Sequence, residues 1–567
     1  MKPLLLCLAC SVLAAFAAAA RGDWQVGVTA ETVRLLREDL PPAGTAVRLA
    51  AARNEWRGFQ IFVRSDAPVS GVNVEPGDLT GPDGAVLRAA DAVLYREHQM
   101  NIEVGTYRNA AFRPGWYPDP LIPLKHPVTG KPLAGARLTA VPFDLPAGET
   151  HGFWADVYVP ADAKAGQYRG TYRVTGAGGK AAEIEVSLTV WDFALPATPT
   201  MKTAFGNPAV RMRGYYRDRA KEGKEQEPSD WAAVESQCAR MLADHRISAT
   251  PPMVISATVS EDGGPRAPPE QVEVMREFID RYHVNTVMVP NVTTVVRDPD
   301  FDRARLLAWL KGWDALIADL DRPDVVFCVY LIDEPNDEKA YQFVRRWGAS
   351  LRAVKPSVKI MVTEQTQPQE AAWGDLYGAV DIWCPLFSLF NPDSAAKRRQ
   401  AGETIWAYTA LCQGKPTPWW HIDHPLLNYR APAWISWRYR IRGLLYWGGM
   451  SYWKEVEDPW TDAWTYGRGK GPRAPVFNGE GTLVYPADAV GYDGIAPSLR
   501  LKALRDSIQD YDYFSILERA GRAADAERIV LPLAGSWFEW DKDPAAYEKA
   551  RAALAELILK APRPAKN

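Results

Sequence analysis

The chain has 567 residues, of which 47% are hydrophobic and 24% charged, with a formal net charge of -3. That length exceeds what one hydrophobic core serves and calls for several domains. The balanced charge lacks the basic footprint of a nucleic-acid-binding protein and excludes nucleic acid as an expected partner.

The first twenty residues carry one Lys, an apolar run from Pro3 to Ala17 and then Ala18-Ala19-Ala20. This pattern is that of a secretory signal peptide cut after Ala20, and it predicts export to the periplasm, the cell surface or the medium. Cys10 leaves lipid attachment open. No later stretch supplies about twenty consecutive apolar residues, so no membrane span is expected. The later cysteines, at 238, 328, 384 and 412, show no C-x-x-C or His-rich spacing. Neither a metal site, a cofactor nor a disulfide framework is expected from them. No pattern in the chain speaks to its oligomeric state.

From residue 21 to 197 short alternating runs such as GFQIFVRS, GFWADVYVP and AEIEVSLTVWDF are separated by Gly, Pro and Asp turns. Period-two alternation at this spacing predicts an antiparallel β-sandwich. The proline-marked LPATPT closes it. Over residues 198–496 the rhythm becomes strand, helix, strand. Strands are expected near Lys202–Phe205, Ile247–Met253, Val284–Val289, Val325–Ile332, Lys359–Val362, Val380–Pro385, Thr404–Thr409 and Leu444–Trp447. Eight such strands with helices between them predict a (β/α)8 TIM-like barrel. No Gly-rich fingerprint follows any of them, which removes dinucleotide and P-loop functions. Residues 497–567 read as a helical extension packed on the barrel, with SLRLKALRDSIQDYDYFSIL as its clearest amphipathic segment.

The chemistry is expected at VVFCVYLIDEP, residues 325–335, where an apolar run ends in Asp333, Glu334 and Pro335. A strand buried on both faces does not carry acids inside it, so the pair is placed at the C-terminal mouth of the fourth strand, the catalytic face of a barrel. An Asp at a strand end also serves as the N-cap of the next helix, a role that Asn336 and Asp337 are equally placed to share. Two adjacent carboxylates suit chemistry in which one group carries a proton and the other stays ionised.

Glycoside hydrolysis fits such a pair. The usual retaining mechanism needs a second carboxylate as nucleophile about 5 Å away. Between Thr404 and Asp423 there is no acid, and Glu364, ending the fifth strand, is the nearby replacement. Adjacent Asp and Glu also suit the substrate-assisted variant, in which the sugar's own 2-acetamido oxygen attacks the anomeric carbon. For a sugar platform the candidates are Trp406 and Tyr408, on one face of the seventh strand, with Trp447 and Trp453 at and after the eighth. Each of these aromatics is equally suited to filling the barrel. Asn291 and Tyr215 are candidates for hydroxyl binding.

The segments WDFALP, YLIDEP, TIWAYTALCQ, RIRGLLYWGGMSYW, NGEGTLVYP and PSLRLKALRDSIQDYDYF together resemble the family 123 glycoside hydrolases. The resemblance runs through nearly the whole chain beyond the leader. It implies an exo-acting β-N-acetylgalactosaminidase that retains configuration through the neighbouring acetamido group, with Asp333 orienting that group and Glu334 as acid/base. The implied partner is a glycan or glycoconjugate with a terminal 2-acetamido sugar. Alternatives are a β-N-acetylglucosaminidase, a double-displacement enzyme using Glu364, or a non-catalytic carbohydrate-binding surface protein.

Overall fold

The computed structural model describes residues 24–561 except 225, 252–257, 355, 413, 469–470 and 472–473. The expected signal peptide therefore lies outside the described residues. The N-terminal part folds into two β-sheets. One runs Trp24–Thr29, Glu55–Ser65, His151–Val159, Val93–Ile102, Gly115–Pro123, antiparallel throughout. The other sets Ala46–Arg53, Lys180–Ala194, Gly166–Gly176, Val69–Glu75 and Phe143–Leu145 side by side. In it the pairing of Ala46–Arg53 with Lys180–Ala194 is parallel and the others are antiparallel. The expected alternation holds: Ile184, Val186, Leu188 and Val190 are buried while Glu183 and Glu185 face solvent. These side chains share an apolar cluster with Phe59, Ile61, Val63 and Phe153 of the first sheet.

The second part is a nearly closed barrel of parallel strands. Their order is Lys202–Ala204, Gly443–Leu445, Thr404–Tyr408, Ile382–Trp383, Lys359–Val362, Val326–Ile332, Thr286–Val289. Two expectations need correction. The predicted second strand, Ile247–Met253, forms no ladder over its described residues 247–251, and the rest of it lies outside the described residues. Instead Ser248 bridges the gap with its polar groups. Its N–H donates to Thr203 Oγ1 at 2.8 Å, and its hydroxyl donates to Asn285 Oδ1 at 2.7 Å. Nor does an α-helix separate every pair of strands, since residues 363–381 contain only the 3-10 turn Ala371–Trp373. The barrel interior is filled by Cys328, Met361, Cys384 and Trp406.

The Leu499–Arg519 helix is not amphipathic in place. Its residues from Leu499 to Ser515 are buried without exception, although six of them carry charge. Five of these six meet a counter-charge on another element, while Asp506 pairs with Arg505 of the same helix, at 3.6 Å. Arg500 Nε donates to Asp119 at 2.9 Å, and Lys502 and Arg505 both donate to Asp156, at 2.6 and 2.8 Å. Both acids belong to the sandwich. Towards the barrel, Asp510 accepts from Arg430 at 2.8 Å and Asp512 from Arg246 at 2.7 Å. The helix thus packs on the barrel and bolts it to the sandwich.

Burial works against ionisation of Asp156, but Arg505 and Lys502 hold its carboxyl well below the usual range. Asp156→Ala leaves two buried cations without their partner and is expected to cost about 3–5 kcal/mol of stability. Denaturant unfolding measures it, and a loss below about 1 kcal/mol, the scale of a surface pair, contradicts the role.

Candidate active site

The Val326–Ile332 strand is β-rich and apolar, and its Phe327, Cys328, Val329 and Leu331 are buried. Beyond it Asp333 and Glu334 are exposed at the C-terminal end, and Pro335 is buried behind them. Two backbone irregularities aim the acids. The register against Lys359–Val362 shifts between Tyr330 and Ile332, and Glu334 has a left-handed φ of 38°. A non-glycine residue in that region carries strain that the surroundings must hold. Here Thr363 Oγ1 holds it, accepting from Glu334 N at 2.9 Å. Capping of the following Glu338–Arg352 helix falls to Asp337, which accepts from Ala340 N at 2.7 Å, so neither Asp333 nor Glu334 is used for it.

The two carboxylates have different partners. Asp333 Oδ1 accepts from the Tyr330 hydroxyl at 2.5 Å and from Thr363 Oγ1 at 3.1 Å. Glu334 Oε1 accepts from the hydroxyl of Tyr408, which reaches over from a strand three places away in the sheet order. Burial, followed by the neighbouring carboxylates, pushes both tyrosine hydroxyls far up, so they remain donors at any working pH. Glu364 is buried beside this pair. Gln365 N donates to its Oε1 at 2.9 Å and Gln369 Nε2 to its Oε2 at 2.8 Å. Burial raises its pKa to about 7, with those bonds opposing and the charge of Glu334 adding a smaller push.

The structure treats the other sequence candidates differently. Thr404, Trp406 and Tyr408 do share a face, but depth separates the last two. Trp406 is fully buried, its ring lying where a side chain on Gly443 would stand, and it plugs the barrel instead of facing a ligand. Tyr408, two residues nearer the mouth, reaches Glu334. Trp447 is half-buried at the rim, and its indole N–H donates to Glu480. Its ring meets Tyr452 at 5.0 Å and Tyr466 at 5.2 Å, forming an aromatic wall.

Trp453 is 1% exposed and donates to the Val484 carbonyl at 3.0 Å, which makes it core. Tyr215 packs edge-on against Trp453, and both line a cavity of about 450 Å³ to which neither Asp333 nor Glu334 contributes. Asn291 has no capacity left for a sugar hydroxyl. Its amide nitrogen donates to the Tyr330 and Leu331 carbonyls at 2.8 and 3.0 Å, and its oxygen accepts from Thr293 N and Oγ1 at 3.0 and 2.9 Å. It pins the end of the acid-bearing strand. Sequence reasoning missed Tyr330 and Thr363 as positioning groups, although each is a hydroxyl close to a strand end.

Residues 315–517, which include both acids, match the family model described as Glycoside hydrolase 123, catalytic domain. No curated protein sequence matches the chain. Among solved structures, a family 123 glycoside hydrolase from Clostridium perfringens, described in connection with glycolipid glycan hydrolysis, superposes with a TM-score of 0.63. The match covers 95% of this chain and 97% of that one at 14% identity. A family 39 glycoside hydrolase from Bacteroides cellulosilyticus overlaps far less well, with a TM-score of 0.30 at 10% identity over 78% of this chain and 80% of the other. The early resemblance therefore holds over residues 315–517, which match the catalytic domain of glycoside hydrolase family 123, and the chain is a glycoside hydrolase.

Proposed function

We propose that the enzyme is an exported exo-β-N-acetylgalactosaminidase that retains configuration by substrate-assisted catalysis. The observation that carries this reading is the pair of adjacent exposed acids, each oriented by its own hydroxyls, beside a third acid engaged in amide hydrogen bonds. In the proposed reaction the acetamido oxygen of the substrate attacks the anomeric carbon while Glu334 protonates the departing glycosidic oxygen. The Tyr408 hydroxyl occupies Glu334 Oε1 and leaves Oε2 to carry the transferred proton. Asp333 accepts the acetamido N–H and offsets positive charge on the oxazolinium intermediate. Glu334 then takes a proton from the incoming water, which opens the ring with overall retention.

Glu364 is poorly suited to the alternative role of nucleophile. Its buried carboxyl holds a proton until about pH 7, and both oxygens already accept hydrogen bonds. A protonated acid is a weak nucleophile.

Asp333→Asn is expected to lower kcat/KM on an aryl 2-acetamido-2-deoxy-β-galactoside by about 100- to 1000-fold, and Glu334→Gln by at least as much. Paired assays with the plain β-galactoside check the mechanism, since comparable turnover without the acetamido group overturns it. The matching glucoside tests the epimer. Tyr408→Phe removes one hydrogen bond to a charged group and is expected to cost about 10- to 100-fold in kcat with little change in KM.

Glu364 also makes a pH prediction. Its folded-state pKa, about 7, stands above the ordinary value of 4.5. Between those values the folded chain binds the proton more tightly than the unfolded one, so the stability from this group is full below about 4.5 and is lost as pH rises through 7. Glu364→Gln cannot lose that proton. Its Tm relative to the parent is expected to climb across this window in thermal melts, and a flat difference contradicts the assignment.

A further inference from the structure

The loop that follows the Thr404–Tyr408 strand folds Cys412, His421 and His424 together, and all three are buried. One ligand atom from each lies within 4.8 Å of the others. Cys412 Sγ stands 3.8 Å from His421 Nδ1. Tetrahedral zinc with ordinary bond lengths sets sulfur and nitrogen about 3.5 Å apart, so little movement is needed.

Two further observations point to a cation. His421 Nε2 lies 2.9 Å from Glu480 Oε2 without hydrogen-bond alignment, so the carboxylate places negative charge on the far side of the ring while Nδ1 stands beside Cys412. That carboxylate, histidine, metal order is the usual second layer of a metal site. The other ring supplies an orphan. His424 Nε2 has no hydrogen-bond partner among the described residues although the side chain is only 8% exposed. A buried nitrogen lone pair without a donor is costly, and a metal ion satisfies it.

We infer that Cys412, His421 and His424 bind one divalent cation of the zinc class, with a fourth position left for water. One thiolate and two imidazoles form a borderline-soft donor set that suits zinc over magnesium or calcium. The surrounding charge agrees. Asp423 and Glu480 are both buried nearby and supply the negative field that a cation, once the thiol proton leaves, partly neutralises. The site would join the two ends of the loop after the Tyr408 strand and fix Glu480. Glu480 in turn holds Leu411 N at 3.1 Å and the Trp447 indole at the mouth. The inference stands independently of which sugar is cleaved.

The test is metal binding by the full chain. After chelation, incubation with Zn²⁺ and removal of the excess, elemental analysis is expected to find about one zinc per chain. Reconstitution with Co²⁺ is expected to give the absorption of a cobalt thiolate. That band is expected to vanish in Cys412→Ser and to persist in Cys238→Ala, whose thiol lies in the Trp231–Asp244 helix. Glu480→Gln is expected to weaken zinc affinity about 10- to 100-fold. Where a variant fails to fold, the parent decides alone: well under one zinc per chain together with no thiolate band overturns the proposal.

Discussion

The structure depends on one arrangement: five of the six charges buried on the Leu499–Arg519 helix meet a counter-charge from the sandwich or the barrel. An unpaired ion in such surroundings costs several kcal/mol, whereas a well-bonded pair roughly breaks even against apolar packing. The helix therefore contributes specificity more than gross stability. Asp119 and Asp156 from the sandwich and Arg246 and Arg430 from the barrel fit only one relative placement of the two layers. Gln509 repeats the arrangement, donating to Trp56 O at 3.0 Å and accepting from Trp56 N at 2.9 Å. The sandwich is in this sense part of the catalytic body, because it completes the charge balance of a helix on which the barrel packs.

Rigidity of that kind matters for a site assembled from several strands. Glu334 ends one strand and its partner Tyr408 ends another, so the hydrogen bond between them survives only if the barrel mouth keeps its width. Trp406, Cys328, Met361 and Cys384 fill the interior below and set that width. The loop after Tyr408 is fastened to the sandwich as well. Asp423 accepts from Thr106 N at 2.7 Å and from Thr106 Oγ1 at 2.6 Å, and Arg34 donates to the His424 carbonyl at 2.8 Å. Trp419 and Trp420, which lie in this loop, are consequently core residues.

What the sequence disclosed follows from which patterns have one physical meaning. An apolar β-rich run ending in Asp333, Glu334 and Pro335 has few alternatives, and strand, mouth and acids were legible together. Period-two alternation gave the face shared by Trp406 and Tyr408 but carries no information on depth, which is what separates a plug from a positioning group. Asn291 was visible as a polar residue after a strand, but its bonding capacity is spent on carbonyls of the neighbouring strand, a contact with no trace in linear spacing. The buried helix misled in a similar way. Its charges imitate a solvated face because the sandwich partners of Arg500, Lys502 and Arg505 lie hundreds of residues away in the chain. The Cys412, His421 and His424 cluster also escaped, because its spacing matches no common ligand motif.

The division of labour between the acids is a consequence of backbone geometry. On a regular strand successive side chains point to opposite faces, so of two adjacent acids one enters the barrel and the other the helix layer. Here the register shift after Tyr330 and the left-handed turn at Glu334 break that rule just past the last ladder residue. Asp333 consequently folds back onto Tyr330 of its own strand and Thr363 of the next, while Glu334 swings over to Tyr408. Thr363 ties the two arrangements together, since its hydroxyl donates to Asp333 and accepts from the backbone of Glu334. Two carboxylates adjacent in the chain thereby share one opening without sharing a partner.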